Sequence, residues 1–599
     1  MRLGFPFAGA IGFLLAAGPA AGQTGFTPDG AERQRAAEAR ALEAIDPELV
    51  GGLAVPLSAR PHVAGSPGQA AFADSLATWL ARWGYRPERA TYRVYLPHAT
   101  DVTLALVAPE RVEFEVAETA IEGAAPVSDP QYPWANGYSG AGSVEAEVVY
   151  VNYGLHDDYE VLAGEGIDLR GKILVARYGR SYRGIKARLA EQHGAAGLVL
   201  YSDPSDDGWF RGEPYPDGPY RPRTGIQKGS VKNASGDPTT PGYPSLRDAV
   251  RVAPEVSPQA LPTIPVVPVS ADVAGAILSR LEGGLLPRAD WQGALPFRYH
   301  LGPGPATVRL AVDDDRDGPA AGFREVTNVV ARIEGTEWPD EWVIVGAHID
   351  AWGPGANDNV SGTASVLAAA RAVRLLADAG FAPRRTVVFA GWDGEEWGLI
   401  GSTEWVEEHA AELTTGAVAY LNQDMIAGPG FGAGASPSLK SLIRDAAAAI
   451  PARGRTLREL WAAADSTLAI ENLGGGSDFA GFYHHLGIPS TGHGFGGPYG
   501  AYHSAYDTRQ FIEIVDPGYA NQTLSSELVA ILALRLANAE VLPYDYAAFA
   551  LEVRELWDAK RGEIEALPGG AAAAGRLDGA LDSLAAAAQR FDSARRGYL

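Results

Sequence analysis

At 599 residues, 46% hydrophobic and 20% charged, the chain is too long for a single core and ordinary enough in composition to fold as several packed domains. A net charge of −24 argues against a nucleic-acid partner, because phosphate binding needs a basic face. With no cysteine, disulfides, thiolate metal sites and cysteine nucleophiles are excluded, which leaves histidine and carboxylates as metal ligands.

Residues 1–22 open with a basic Arg2, continue in an apolar run from Phe5 to Ala17 and end in small residues at Ala20, Ala21 and Gly22. That is the anatomy of a cleaved secretory signal, and it predicts a mature chain starting near Gln23 that is exported to the periplasm or the extracellular space. No later segment has the length and apolarity to span a bilayer. From Thr27 to Tyr85 apolar residues recur at helical spacing, predicting one or two helices. From about Leu104 to Gly322 the pattern changes to short β-branched runs, such as Val144–Tyr150 and Ile173–Ala176, between Gly/Pro-rich loops, and predicts an inserted β-rich domain. Beyond Val326 strands and helices alternate: Trp342–Ala347, a helix over Ser361–Ala379, Thr386–Gly391, a helix over Ser402–Ala411, then Ala417–Gln423. This predicts an α/β fold with a doubly wound, largely parallel sheet. The last stretch, Tyr544–Leu599, is helical in pattern.

The chemistry gathers where the predicted strands end. His-Ile-Asp (348–350) follows one strand, Asp-Gly-Glu-Glu-Trp-Gly (393–398) the next, and Asn-Gln-Asp (422–424) a third. Open sheets place their ligand crevices at these ends. Asp358 lies in the loop to the next helix, and His503 sits in a Gly-rich loop within Tyr-His-Ser-Ala-Tyr-Asp (502–507). His348, Asp358, Glu396, Asp424 and His503, with Glu395 beside them, make a sulfur-free ligand set that suits zinc and, with one carboxylate shared, two zinc ions. Of the adjacent Glu395 and Glu396, one can bind metal while the other faces water as a proton shuttle. Asp350 is expected to orient His348.

These motifs resemble the glutamate carboxypeptidase and transferrin receptor branch of the co-catalytic zinc peptidases, over a span from about Pro61, in Pro-His-Val-Ala-Gly-Ser (61–66), to about Tyr546. The resemblance implies a zinc-exopeptidase mixed sheet, an inserted protease-associated (apical) domain and a helical dimerisation-type segment. The implied boundaries are 30–102 and 323–540 for the peptidase domain, 103–322 for the insertion and 541–599 for a shortened helical segment. It also implies that His348 and Asp424 serve one zinc, Glu396 and His503 the other, and Asp358 both, with Glu395 as general acid/base and Tyr502 bonding the tetrahedral intermediate. Arg183, in Gly-Arg-Ser-Tyr-Arg-Gly (179–184), falls on the clamp for a free C-terminal carboxylate. Tyr182, Ser230, Gly476 and Ser477 fall on neighbouring substrate positions. Thr240, Tyr243, Glu404 and Glu407 match a structural calcium site, and a homodimer is implied.

The departures bear on the substrate. Gly434, Gly492 and Gly494 stand where the family reads an acidic neighbour with arginines, and serines at 230 and 477 replace asparagines. The expected activity is a carboxypeptidase or dipeptidase acting on small peptides with a free C-terminus. An aminopeptidase on the same metals is the alternative, followed by a non-catalytic receptor-like protein.

Overall fold

The computed structural model describes residues 23–127, 132–257, 259 and 261–599; the expected export segment lies outside them. Three helices, not one or two, open the described chain: Pro28–Glu43, Pro47–Leu57 and Pro67–Arg82. Each begins with a capping side chain followed by proline, Thr27, Asp46 and Ser66 accepting from Gly30, Leu49 and Gln69 amides. Proline at the first helical position costs no hydrogen bond there, so the break points were written in these dipeptides.

The peptidase sheet has seven strands, in the spatial order Glu88–Tyr95, Phe323–Ile333, Arg385–Trp392, Trp338–His348, Ala417–Asn422, Ser490–Gly496 and Gly430–Ala435. The four from Arg385–Trp392 to Ser490–Gly496 run parallel, and the outer pairings are antiparallel. Strand periodicity divides the core. Val343, Val345, Val387, Phe389 and Leu421 face the buried helices Val360–Asp378 and Ala520–Asn538, while Ile344, Val388, Ala390 and Tyr420 face Trp392, Trp405 and Phe482 on the other side. Val360–Asp378 is the one described helix long and apolar enough to cross a membrane, and it is mostly buried in this core.

The insertion is β-rich, as expected, and also carries short helices. Its seven-stranded sheet runs Val112–Phe114, Ala99–Ala108, Thr307–Asp314, Gly142–Tyr150, Ile173–Arg177, Gly197–Tyr201 and Val266–Val269, the last four parallel. Helices His156–Gly164, Arg183–Gln192 and Ala271–Leu278 complete it. These have ten residues or fewer, too short for helical periodicity to stand out between strands. The C-terminal segment is a hairpin of helices Tyr546–Glu565 and Gly570–Tyr598, which leaves Phe549, Leu551, Leu556, Leu567 and Tyr598 exposed.

Candidate metal centre

The parallel strands deliver their ends to one place. Strand Trp338–His348 stops at His348, Arg385–Trp392 runs into the Glu395–Trp397 turn, and Ala417–Asn422 is followed by Asp424. His348 Nε2 lies 3.1 Å from Asp358 Oδ1 and 3.5 Å from Asp424 Oδ1. His503 Nε2 lies 3.2 Å from Asp358 Oδ2 and 3.0 Å from Glu396 Oε2. Asp358 therefore turns one oxygen to each histidine. Two three-residue sets result, His348–Asp358–Asp424 and Asp358–Glu396–His503, sharing the one carboxylate.

Tetrahedral zinc with bonds of ~2.0–2.1 Å places ligand atoms about 3.3 Å apart, and the histidine–carboxylate distances in both sets, 3.0–3.5 Å, match that spacing, with all ligand atoms of a set within 4.8 Å of one another. Buried Glu396 Oε1 and Asp424 Oδ1 have no hydrogen-bond partner among the described residues, so each is left wanting a cation. The electrostatics agree. Although burial opposes their charge, His348 is held well above the usual imidazole range by Glu395 and Asp424, and His503 is raised by Glu396 and Asp358. Burial, then repulsion from Asp478, Glu396 and Asp424, pushes Glu395 well above the carboxylate range against the pull of His348. A centre this rich in acids favours bound positive charge, and the residues present fit zinc.

Second contacts fix the ligands. His348 Nδ1 donates to the Asp350 backbone carbonyl at 3.0 Å, while the Asp350 carboxylate stands 3.7 Å from it. That carboxylate accepts from the Glu395 and Glu396 amides at 2.9 and 3.3 Å. Asp350 thus steadies the Glu395–Glu396 turn and faces His348 Nδ1 with both its backbone carbonyl and its carboxylate. Asp507 accepts from the Asn357 and Asp358 amides, each at 3.0 Å, and from Tyr499 at 2.6 Å. Ser477 Oγ donates to Asp424 Oδ2 at 2.5 Å and accepts from Asn422; it supports Asp424 instead of lining the cleft. Asp507, Asp478 and Trp352, whose indole donates to Glu396 Oε2 at 2.7 Å, escaped the sequence reading. Asp507 closes the motif that holds His503 and was visible there; nothing local marks the other two.

A cleft of about 490 Å³ opens over the centre, lined by Tyr182, Arg183, Asn233, Met425, Gly475, Gly476 and Tyr502 together with the ligand residues. Half-buried Arg183 reaches from the insertion to 3.5 Å from the Tyr502 hydroxyl and 3.3 Å from the His503 ring. Gly229, at φ +135°, lies against its guanidinium, where a Cβ would overlap. Tyr502 stacks on His503 at 3.7 Å, and burial raises its phenol so that it stays protonated as a donor. Tyr182 donates to the Ser230 and Lys232 carbonyls. Ser230 itself is buried with its hydroxyl on the Lys232 amide, outside the cleft lining, which corrects its expected substrate role.

Away from the cleft, Glu404 is buried, its two oxygens accepting from the Asp237 and Ser245 amides at 2.7 and 2.6 Å. Tyr243 donates its hydroxyl to the Val250 carbonyl, so that oxygen is already engaged. Thr240 Oγ1 and Glu407 Oε2 are buried without hydrogen-bond partners among the described residues. Burial, then Glu407, pushes Glu404 up to about 8. All four side chains offer hard oxygen donors, the type calcium prefers.

Comparison with known proteins agrees with this geometry. The family described as Peptidase family M28 matches residues 328–525, and that described as PA domain matches 144–234. The chain is 36% identical to "Probable glutamate carboxypeptidase LAMP1" of Arabidopsis thaliana over 83% of its own length and 73% of the relative. It is 37% identical to "Probable glutamate carboxypeptidase VP8" of Zea mays over 83% and 68%, and 33% identical to "Aminopeptidase NAALADL1" of Mus musculus over 82% and 71%. Among solved structures, the Peptidase M28 precursor of Shewanella amazonensis SB2B shares the fold at TM-score 0.55 and 20% identity, covering 86% of this chain and 98% of that one.

Proposed function

Because the chain belongs to peptidase family M28, in its glutamate carboxypeptidase-like branch, we propose that this zinc metallopeptidase works with two zinc ions and releases the C-terminal residue of small peptides. His348 and Asp424 would hold one ion and Glu396 and His503 the other, with Asp358 between them. Bound there, zinc supplies Lewis acidity toward the scissile carbonyl and brings water toward a neutral pKa. Glu395, whose Oε2 lies 4.0 Å from His348 Nε2, takes the proton from the attacking water and returns it to the leaving amine nitrogen. Tyr502 donates its hydroxyl to the oxygen that gains negative charge.

One observation carries the choice of peptide end: Arg183 is the lining cation left free for substrate. Lys232, the other, spends its ammonium on the Ala234, Gly236 and Gly398 carbonyls. Arg183 has no carboxylate partner among the described residues, and its planar fork suits a terminal α-carboxylate. The name of the mouse relative favours a second reading, an aminopeptidase. Against it, the carboxylates lining the cleft, Asp358, Glu395, Glu396 and Asp424, are all committed to metal or proton transfer, leaving none to grip an α-ammonium. Amino-blocked dipeptides with a free C-terminus are expected to be cleaved at least about tenfold faster than carboxyl-blocked dipeptides with a free amine, a preference worth ~1.4 kcal/mol. The opposite order assigns the chain to aminopeptidase action.

We also assign a structural calcium ion to Thr240, Tyr243, Glu404 and Glu407, on the strength of the unpartnered Thr240 and Glu407 oxygens. Such an ion would neutralise acids that otherwise crowd where the insertion meets helix Ile400–Glu408. EGTA treatment followed by zinc alone should lower the thermal midpoint by about 5 °C, and calcium, not magnesium, should restore it. An unchanged midpoint removes the assignment.

A further inference from the structure

The two ligand sets are held by different parts of the molecule. Around His348 and Asp424 the supporting contacts among the described residues are internal to the peptidase domain: the Asp350 carbonyl on His348 Nδ1, Thr363 Oγ1 on the His348 carbonyl, and Ser477 on Asp424. Glu396 and His503 are held differently. Trp352 donates its indole N–H to Glu396 Oε2 at 2.7 Å, and the same oxygen is the one 3.0 Å from His503 Nε2. A glutamate carboxylate turns easily about its last torsion, so a charge-assisted N–H···O⁻ bond is what fixes its direction.

The indole in turn is roofed by the insertion. Trp134 meets it edge-on at 6.1 Å and Trp397 flanks it at 5.0 Å. The Gly137 backbone comes so close that a Cβ there would stand 3.1 Å from both the Trp352 and Trp397 rings. Trp134 also carries the Lys228 ammonium 4.4 Å over its face, and Lys228 is paired with Glu118 in the interior. The Lys228 carbonyl accepts from His503 Nδ1 at 3.1 Å, its amide donates to the His503 carbonyl at 3.0 Å, and Glu118 accepts from the Ala505 amide at 2.8 Å. One packed unit of the insertion, Glu118, Trp134, Gly137 and Lys228, therefore stands behind both Glu396 and His503.

We propose that the inserted domain sets the zinc affinity of the Glu396–His503 position alone, with Trp352 as the positioning residue that transmits its docking to the Glu396 carboxylate. The proposal rests on the two-zinc reading above. The His348–Asp424 position keeps its affinity whatever the insertion does, because none of its supports among the described residues crosses the domain boundary. Such an arrangement makes occupancy of the second zinc a report on whether the insertion, which brings Arg183 to the cleft, is seated.

The test is zinc titration of the metal-free protein against a chromogenic chelator, reading the number of equivalents and the Kd of each, beside thermal melting of the metal-free forms. Wild type should bind two equivalents. Trp352→Phe, which keeps an aromatic ring but removes the donor, should bind one as wild type does and the second about 10–100-fold more weakly, the usual scale for losing an outer-shell partner. Gly137→Ala leaves the indole intact and crowds it from the insertion; it should weaken the same equivalent, and it carries the test if Trp352→Phe does not fold. In a His348→Ala background Trp352→Phe should weaken the remaining equivalent, whereas in a His503→Ala background it should not. Wild-type binding of both equivalents by Trp352→Phe, or equal weakening of both, overturns the proposal. A wild-type protein that takes up a single equivalent instead overturns the two-zinc reading beneath it.

Discussion

Replacing Glu395 with Gln is expected to lower kcat by about 10³–10⁴-fold while zinc content stays at the wild-type level. The amide matches the carboxylate in size and keeps its place, because the turn is held by the Asp350 carboxylate gripping the 395 and 396 backbone amides and not by the Glu395 side chain. Only the capacity to take a proton from water and deliver it to the amine is lost. The neighbouring Glu396 keeps its Trp352 and His503 contacts, so the metal ligands are untouched. Steady-state kinetics with elemental analysis of the same sample checks both halves. Turnover within tenfold of wild type would remove Glu395 from the reaction, and loss of zinc would make it a ligand.

The second large effect is expected at Arg183. Arg183→Met should reduce kcat/KM for amino-blocked dipeptides by about 10²–10³-fold, or ~3–4 kcal/mol, the scale for removing one partner of a desolvated, hydrogen-bonded charge pair. C-terminally amidated peptides should be nearly indifferent, since they offer the guanidinium no charge. The discrimination between the two substrates is the informative quantity: general damage to the cleft lowers both rates together. An equal loss on both would assign Arg183 to holding Tyr502 and His503, which it approaches at 3.5 and 3.3 Å.

Much of the centre was legible because its chemistry demands particular side chains at particular places. An imidazole and carboxylates at the ends of successive apolar strands had to converge if those strands ran parallel, and His348, Glu395, Glu396 and Asp424 do converge. Asp358 was read as shared, and its two oxygens indeed face the two histidines. What failed was the assignment of supporting roles. Ser230 and Ser477 occupy positions expected to touch substrate, yet one hydroxyl turns to a backbone amide and the other to Asp424. Asp350 faces His348 as expected, but its carboxylate also takes two amides 45 and 46 positions away, which spacing did not announce. A hydroxyl or carboxylate takes whichever donor or acceptor its rotamer reaches once the chain is packed, and sequence spacing says nothing of that. The short helices of the β-rich insertion stayed hidden for a related reason: a helix of eight to ten residues is stabilised by the sheet it covers, not by its own periodicity.

By itself, then, the sequence pointed to the reaction class: a cysteine-free set of two histidines, three ligand carboxylates and one spare glutamate, in an order that a doubly wound sheet brings together at its strand ends. The tertiary structure alone decided how those ligands are held, and by which domain. The bond from Trp352 to Glu396 spans 44 positions and that from His503 to the Lys228 carbonyl spans 275. Contacts of that separation exist because two cores pack against each other, and hydrophobic burial, being non-directional, leaves no local pattern from which the meeting of particular side chains can be read.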